Sequence, residues 1–127
     1  MRRIVLDMQC TMFAEAISQS LSSNDPDFVV QRSESPGQTL MLCRSVLAHA
    51  LIMEVTGFSP WRLSDRLRIC QSIRHSLPQC KVLLLVDENA NADLAVSVKQ
   101  AKKDGFIDNF IYASVSPTYL AAVLETL

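Results

Sequence analysis

Short apolar runs, each ended by a polar or charged residue, recur along the chain. The run at residues 4–6 stops at Asp7, and the run at residues 82–86 stops at Asp87. Uninterrupted apolar runs of this length are typical of strands in a parallel sheet that is covered on both faces. The sequence predicts five such strands, at residues 4–6, 28–30, 50–53, 82–86 and 106–112.

Between these runs, apolar residues recur at the three-to-four spacing of amphipathic helices. Ser116 and Pro117 are typical of a helix N-cap and first helical residue, and Gly105 of a helix end. Asn89 or Asn91 is expected to cap the helix that Gly105 ends. The segment 36–47 is predicted to be helical but has no clear apolar face. The apolar positions of the other helices are Phe13, Ala16, Ile17 and Leu21; Leu63, Leu67, Cys70 and Leu77; Leu94, Ala95, Val98 and Ala101; and Leu120, Ala121, Val123, Leu124 and Leu127.

Strands that alternate with helices over short connections predict β-α-β crossovers and a doubly wound, five-stranded parallel sheet. A chain of 127 residues is expected to form one domain, spanning residues 1–127. Ligands of such sheets bind beyond the carboxyl ends of the strands. Candidate functional residues are therefore sought at those ends.

Composition and charge exclude several classes of protein. Hydrophobic residues make up 49% of the chain and charged residues 20%, which is typical of a globular protein. With 12 basic and 13 acidic residues the net charge is −1, so no general attraction to nucleic acid or anionic lipid is expected. The apolar run after Arg2 and Arg3 is too short for a signal peptide or a membrane span.

The four cysteines, Cys10, Cys43, Cys70 and Cys80, form no CxxC pair and accompany no histidine cluster. This spacing argues against a zinc site and predicts buried thiols in a reducing compartment. We therefore expect a cytoplasmic protein.

Three acidic residues follow three predicted strands: Asp7 after the first, Glu54 after the third and Asp87 after the fourth. Converging carboxylate oxygens are what a hard cation needs. The alternative is that each acid ends a buried strand where its charge is easily hydrated.

The order of elements and the strand-end residues resemble a receiver domain of a bacterial response regulator. The resemblance rests on Asp7 after an apolar strand, on Glu54 after the strand at residues 50–53, on the strand at residues 81–85 and on Phe110 followed by Ser116 and Pro117. It covers essentially the whole chain and implies a flavodoxin-like, CheY-like (βα)5 three-layer sandwich.

In that family an acidic pair after the first strand holds magnesium, and an aspartate after the third strand accepts a phosphoryl group. By resemblance Asp7 is one member of the pair, but Met8 stands where the other would be. Glu54 is the equivalent of the phosphoacceptor, with one methylene more than aspartate. No resident cofactor is expected, and Mg²⁺ held by Asp7 and Glu54 is the one cofactor that the resemblance leaves open.

The family's switch residues are also replaced. The hydroxyl position is Val86 and the lysine position is Ala113, so two phosphate contacts are missing. Phe110 matches the aromatic switch position, or is ordinary core. The resemblance therefore predicts a degenerate pseudo-receiver that keeps the scaffold and is not an enzyme. A fixed charge on Glu54 that mimics the phosphorylated state is a narrower hypothesis.

The resemblance implies partners on the face of the fourth helix, fifth strand and fifth helix. These partners are a sensor kinase or an effector, or a second copy in a homodimer. No helix is left over to bind DNA, so any role in transcription regulation requires a further domain or a partner. No membrane contact is expected. Candidate contact residues are Lys99, Lys102, Lys103, Asp108, Tyr112 and Tyr119, with Trp61 and a basic side of the third helix (Arg62, Arg66, Arg68, Arg74) as a second surface.

Three alternatives stay open. The first alternative is an authentic phospho-accepting receiver that uses Glu54. The second is a phosphotransferase IIB-like domain that is phosphorylated on Cys10. The IIB reading is disfavoured because the residues around Cys10 include no glycine to shape a phosphate loop. A flavin site is disfavoured because the first turn has no Ser/Thr-rich or Gly-rich loop.

Overall fold

Strands and helices alternate along the chain in the computed structural model, which describes residues 2–86, 92–112 and 117–126. This alternation confirms the predicted α/β class. The elements are β1 (Arg2–Asp7), α1 (Thr11–Asn24), β2 (Phe28–Arg32), α2 (Pro36–Val46), β3 (Ala50–Val55), α3 (Leu63–Ser76), β4 (Lys81–Val86), α4 (Ala92–Lys103), β5 (Asn109–Tyr112) and α5 (Pro117–Thr126).

The strands form one sheet in the order β2-β1-β3-β4-β5, and every neighbouring pair is parallel. Val5 lies opposite Leu51, which lies opposite Val82. All three side chains are fully buried, because the central strands are covered on both faces. This topology confirms the doubly wound sheet and the flavodoxin-like order.

Two apolar cores, one on each face of the sheet, produce the three-layer sandwich. Successive strand residues point to opposite faces, so Ile4 and Leu6 pack with α1 and α5. Val5, between them, packs with α2, α3 and α4. The predicted helix positions match these faces in most cases, but Ala16 is exposed and Ala14 is buried in its place, and Leu127 lies outside the described residues.

The fifth strand begins at Asn109, three residues later than the sequence predicted. Gly105 adopts a φ of 83°, and the Phe106 N–H donates to the carbonyl of Ala101 at 3.0 Å, so these residues close the end of α4. Asp108 then accepts hydrogen bonds from the Val82 N–H at 2.7 Å and from Arg74 Nη2 at 2.9 Å. The polar groups of Phe106 and Asp108 are thus used to end α4 and to connect it to the sheet. The strand therefore starts only after Asp108.

The segment without a clear apolar face is helical over Pro36–Val46, with Thr39 and Cys43 turned toward the sheet. Its last turn is followed by Leu47, which is 62% exposed and has a φ of 54°. A residue with a side chain thus occupies a left-handed position that usually favours glycine.

All four cysteines are free thiols, and Cys43, Cys70 and Cys80 are buried as predicted, whereas Cys10 is exposed. Burial raises the pKa of Cys43 and Cys70 to about 12 and that of Cys80 to about 11. The three buried thiols are therefore poor nucleophiles. None of the helices within the described residues has the length and apolar character that a membrane crossing requires.

Candidate functional site at the carboxyl edge of the sheet

Asp7 and Glu54 lie on neighbouring strands at the carboxyl edge of the sheet. Asp7 ends β1 and pairs with Met53, so Glu54 is one residue further along β3. Val86 ends β4 opposite Val55. Asp87 and Ala113, the other predicted pocket and switch residues, lie outside the described residues.

The carboxylate of Asp7 is buried in an ion pair. Asp7 is 1% exposed, and its Oδ2 lies 2.6 Å from Nη1 of Arg66, which is fully buried. The hydroxyl of Thr39 donates to the same oxygen at 2.6 Å. A buried charge must be paired and hydrogen-bonded. Thr39 on α2 supplies a hydrogen bond to the Asp7 carboxylate, and Arg66 on α3 supplies the opposite charge.

Arg66 also holds the backbone at the ends of two strands. Its Nη2 donates to the carbonyl of Asp7 at 3.1 Å, and its Nε donates to the carbonyl of Glu54 at 2.8 Å. One guanidinium therefore connects β1, β3 and α3.

The role of Arg66 differs from the prediction, which placed this residue on a basic side of the third helix. That prediction is wrong for Arg66, which is fully buried. Arg66 precedes Cys70 by four residues and Ile73 by seven, and both are buried on the same face of α3. This spacing was the available signal, since residues at those intervals share one stripe of a helix.

The carboxylate of Glu54 is bound by backbone amides. Its Oε1 accepts hydrogen bonds from the N–H of Gln9 at 2.8 Å and of Cys10 at 3.3 Å. Glu54 follows Ile52 on the face of the sheet that packs with α1, whereas Asp7 follows Val5 on the opposite face. Asp7 and Glu54 thus meet at one edge but direct their carboxylates to different neighbours.

The oxygen atoms of Asp7 and Glu54 and the residues around them do not form a site that fits Mg²⁺. Oδ2 of Asp7 is engaged by Arg66 and Thr39, and the Met8 side chain is packed in the core. Mg²⁺ requires oxygen ligands in near-octahedral geometry. Within the described residues, no group of three or more His, Cys, Asp or Glu side chains is placed to hold a metal ion.

A cleft of about 510 Å³ opens beside Asp7, on the β2 side of the edge. Arg32 spans part of it, donating from Nη1 to the carbonyl of Thr11 at 3.1 Å. Trp61, a predicted contact residue, is half-buried and forms one wall. Trp61 therefore lines the cleft instead of projecting as an isolated ring.

The described switch positions are apolar or aromatic. Val86 is 1% exposed and has no hydroxyl to offer a phosphate. Phe110 is half-buried against the α2–α3–α4 core. Its ring meets that of Tyr112 edge-on, with centroids 6.0 Å apart and planes at 85°.

The predicted contact residues divide between surface and structural positions. Lys99, Lys102 and Lys103 are exposed on α4, and Tyr119 is 53% exposed on α5. Asp108, by contrast, holds Arg74 and the start of β4.

Solved structures of similar fold include the receiver domain of AraT, a response regulator from Geobacillus stearothermophilus. Its sequence is 17% identical to this one, and the alignment covers 98% of this chain and 91% of the AraT domain, with a TM-score of 0.77. A CheY-like receiver domain protein from Methanospirillum hungatei is 13% identical over 99% and 92% of the two chains, with a TM-score of 0.78. A response regulator from Burkholderia pseudomallei, whose structure holds a phosphorylated aspartic acid, a calcium ion and citrate, is 20% identical over 99% and 68%, with a TM-score of 0.74.

These similarities are similarities of fold. They confirm that this chain has the fold of CheY-like response-regulator receiver domains. No family model and no curated protein matches the sequence.

Proposed function

We propose that this chain is a receiver-type module of two-component signalling that acts through protein contacts and takes up no phosphoryl group. It is a cytoplasmic pseudo-receiver and a binding module rather than an enzyme. The receiver fold supports the signalling role. Four free thiols support a reducing compartment.

The observation that carries this proposal is that both strand-end carboxylates are already engaged. Oδ2 of Asp7 accepts from Arg66 and Thr39, and Oε1 of Glu54 accepts from two backbone amides. Phosphoryl transfer depends on an aligned nucleophile and a cation that neutralises the developing charge. Glu54 is turned toward the β1–α1 loop, and the charge of Asp7 is compensated by Arg66 instead of a metal ion.

The apolar surroundings of the switch support the same proposal. A phosphoryl group shifts a conformational equilibrium only through contacts that differ between the two states. Val86 has no hydroxyl with which to make such a contact. We propose that partner affinity of this module is set by its resting conformation.

The proposed partner surface is the face formed by α4, β5 and α5. Val96 is 67% exposed and Tyr119 is 53% exposed, and Lys99 and Lys103 lie exposed on α4. Exposed apolar and aromatic groups beside lysines suit an effector with an acidic surface, or a second copy in a homodimer. Any effect on transcription would pass through that effector or through a further domain.

Incubation with acetyl phosphate and Mg²⁺, followed by intact-protein mass spectrometry, tests the proposal. We expect no added phosphoryl group, while a phospho-accepting receiver domain treated in parallel becomes labelled. Beryllofluoride added with Mg²⁺ is expected to leave the amide spectrum of Gln9, Cys10 and Glu54 unchanged.

Two variants identify the acceptor if label appears. Stoichiometric acyl phosphate that is lost in Glu54→Gln would refute the pseudo-receiver and establish an authentic phospho-accepting domain. Label that is lost in Cys10→Ala would favour the phosphotransferase IIB-like alternative.

A further inference from the structure

A second cavity, of about 420 Å³, opens at the amino edge of the sheet, where α2 and α3 end. Arg3 at the start of β1 and His49 just before β3 line this amino-edge cavity. It lies at the opposite end of the strands from Asp7 and Glu54, so it is separate from the site at the carboxyl edge. Its volume is within the range of about 300–1,000 Å³ that is typical of small-molecule sites.

The walls of the amino-edge cavity are mainly apolar. Leu47 follows α2, Leu77 follows α3 and Cys80 lies just before β4. Burial raises the pKa of Cys80 to about 11, so at neutral pH its thiol adds no negative charge. Among the described residues that line the cavity, none is acidic. The cavity can therefore receive an apolar group beside a positive charge.

The guanidinium of Arg3 has no counter-charge in the described part of the chain. Arg3 is half-buried, its Nε is buried without a hydrogen-bond partner, and no ion pair joins it to a described carboxylate. Nε of Arg74 is also without a partner, but Nη2 of Arg74 lies 2.9 Å from Asp108. Because a buried donor without a partner is costly, an anion bound at Arg3 would stabilise the fold.

His49 adds a second donor beside Arg3. The N–H of Arg3 donates to Nδ1 of His49 at 3.0 Å, and the N–H of His49 donates to the carbonyl of Arg3 at 2.8 Å. Because Nδ1 accepts a hydrogen bond, the proton of the neutral imidazole lies on Nε2. The backbone contacts thus hold two side chains together that both donate hydrogen bonds, as a carboxylate ligand requires.

We propose that the amino-edge cavity binds a small monocarboxylic acid with a short apolar chain. The carboxylate pairs with the guanidinium of Arg3, and the chain lies against Leu47 and Leu77. Arginine is suited to this role because its planar group donates two parallel hydrogen bonds to one carboxylate. The proposal goes beyond the proposed function, since it requires neither Asp7 nor Glu54.

The proposal also accounts for the conformation of Leu47. This residue has a φ of 54° and is 62% exposed, although its side chain is large and apolar. Unfavourable backbone conformations persist at sites where they serve a ligand, and here the strained residue forms a wall of the cavity. Leu47→Gly is therefore expected to weaken binding of the acid, even though it removes the strain.

Titration with hexanoate, followed through the amide chemical shifts of the isotope-labelled full chain, tests the proposal. We expect saturable shifts at Arg3, Ala48 and Gln79, with a Kd on the order of 1 mM or below. Hexanol has the chain without the charge, and acetate has the charge with almost no chain. Each is expected to bind at least about tenfold more weakly than hexanoate.

Arg3→Met separates the charge from the packing. It removes the guanidinium, keeps a long side chain and breaks no ion pair within the described residues, so the variant is expected to fold. Its affinity for hexanoate should fall by about tenfold or more, while its affinity for hexanol stays the same. Arg68→Met is the matched control, because Arg68 is 78% exposed and lies outside the cavity, and both affinities should be unchanged.

Three results would overturn the proposal. The first is that hexanoate causes no saturable shift at these amides, and the second is that hexanol binds as tightly as hexanoate. Acetate that binds as tightly as hexanoate would indicate an adventitious ion only. An Arg3→Met variant with a native spectrum and full affinity for hexanoate would also count against it, and if that variant does not fold, the three probes on the wild-type protein decide alone.

Discussion

At the scale of single residues, the fold depends on a pair of opposite charges that water does not reach. Asp7 and Arg66 are 1% and 0% exposed. Forming such a pair gives little net stability, because both ions lose their hydration, but breaking it leaves one charge buried and unpaired. Thr39 and two backbone carbonyls satisfy the remaining hydrogen-bonding groups around the pair.

Replacement of Arg66 by alanine is therefore expected to lower the free energy of unfolding by about 3–5 kcal/mol. The matched control is Arg68→Ala on the same helix, because Arg68 is 78% exposed and lies 3.8 Å from Asp65. That exposed pair is expected to contribute less than about 1 kcal/mol. Urea unfolding without divalent cations measures both values, and equal losses would contradict the assigned role of Arg66.

At the scale of secondary-structure elements, two helices end in left-handed residues of different kinds. Gly105 ends α4 with a φ of 83°, and Leu47 ends α2 with a φ of 54°. At both ends an N–H reaches back to a carbonyl of the last turn, from Phe106 to Ala101 and from Ala48 to Cys43. The geometry is similar, but Leu47 bears a Cβ that disfavours this conformation.

Leu47→Gly is expected to stabilise the protein by about 0.5–1 kcal/mol, because it relieves the left-handed conformation at an exposed site. Leu47→Ala keeps the Cβ and should change stability little. Gly105→Ala is expected to destabilise by about 1 kcal/mol, through backbone conformation alone, since an added Cβ would meet no heavy atom within 4 Å. Chemical unfolding of the three variants checks the signs, and a destabilised Leu47→Gly would refute the explanation.

At the scale of the whole molecule, the two faces of the sheet differ in chemistry as well as in helices. The face that packs with α2, α3 and α4 contains the buried thiols of Cys43, Cys70 and Cys80. Burial raises their pKa values, to about 12 for Cys43 and Cys70 and about 11 for Cys80. The three thiols in this core therefore stay protonated in the folded state at pH values where a free thiol ionises.

Stability should therefore fall as the pH rises above about 9. Above the unfolded pKa the thiols ionise in the unfolded chain but not in the folded one, so the unfolded state is favoured by roughly 1 kcal/mol per thiol per pH unit. Urea unfolding at about pH 8 and about pH 10 measures the loss.

The control for this pH dependence is Cys70→Ala, which should lose less stability over the same interval because it lacks one of the titrating groups. An equal loss in both proteins would assign the alkaline effect to lysine and tyrosine side chains instead.

The pattern of apolar residues by itself determined the class of fold, the five strands and the faces that the helices bury. These features follow from uninterrupted apolar runs and from the 3.6-residue spacing of amphipathic helices, which are local properties of the chain. The same pattern placed Asp7 and Glu54 at one edge, because parallel strands end together. It also predicted the end of α4 at Gly105, since glycine adopts left-handed backbone without strain.

Tertiary structure alone decided what those acids contact. Asp7 and Arg66 are 59 residues apart, and nothing local in either segment specifies their pairing. An arginine on a helix is usually expected to be a solvated surface charge. Here the packing of α3 places Arg66 against the ends of two buried strands. The spacing to Cys70 and Ile73 places Arg66 on the buried stripe of α3, but only the packing of α3 on β1 and β3 brings its guanidinium to Asp7. The compensation of Asp7 by a side chain therefore requires the folded structure.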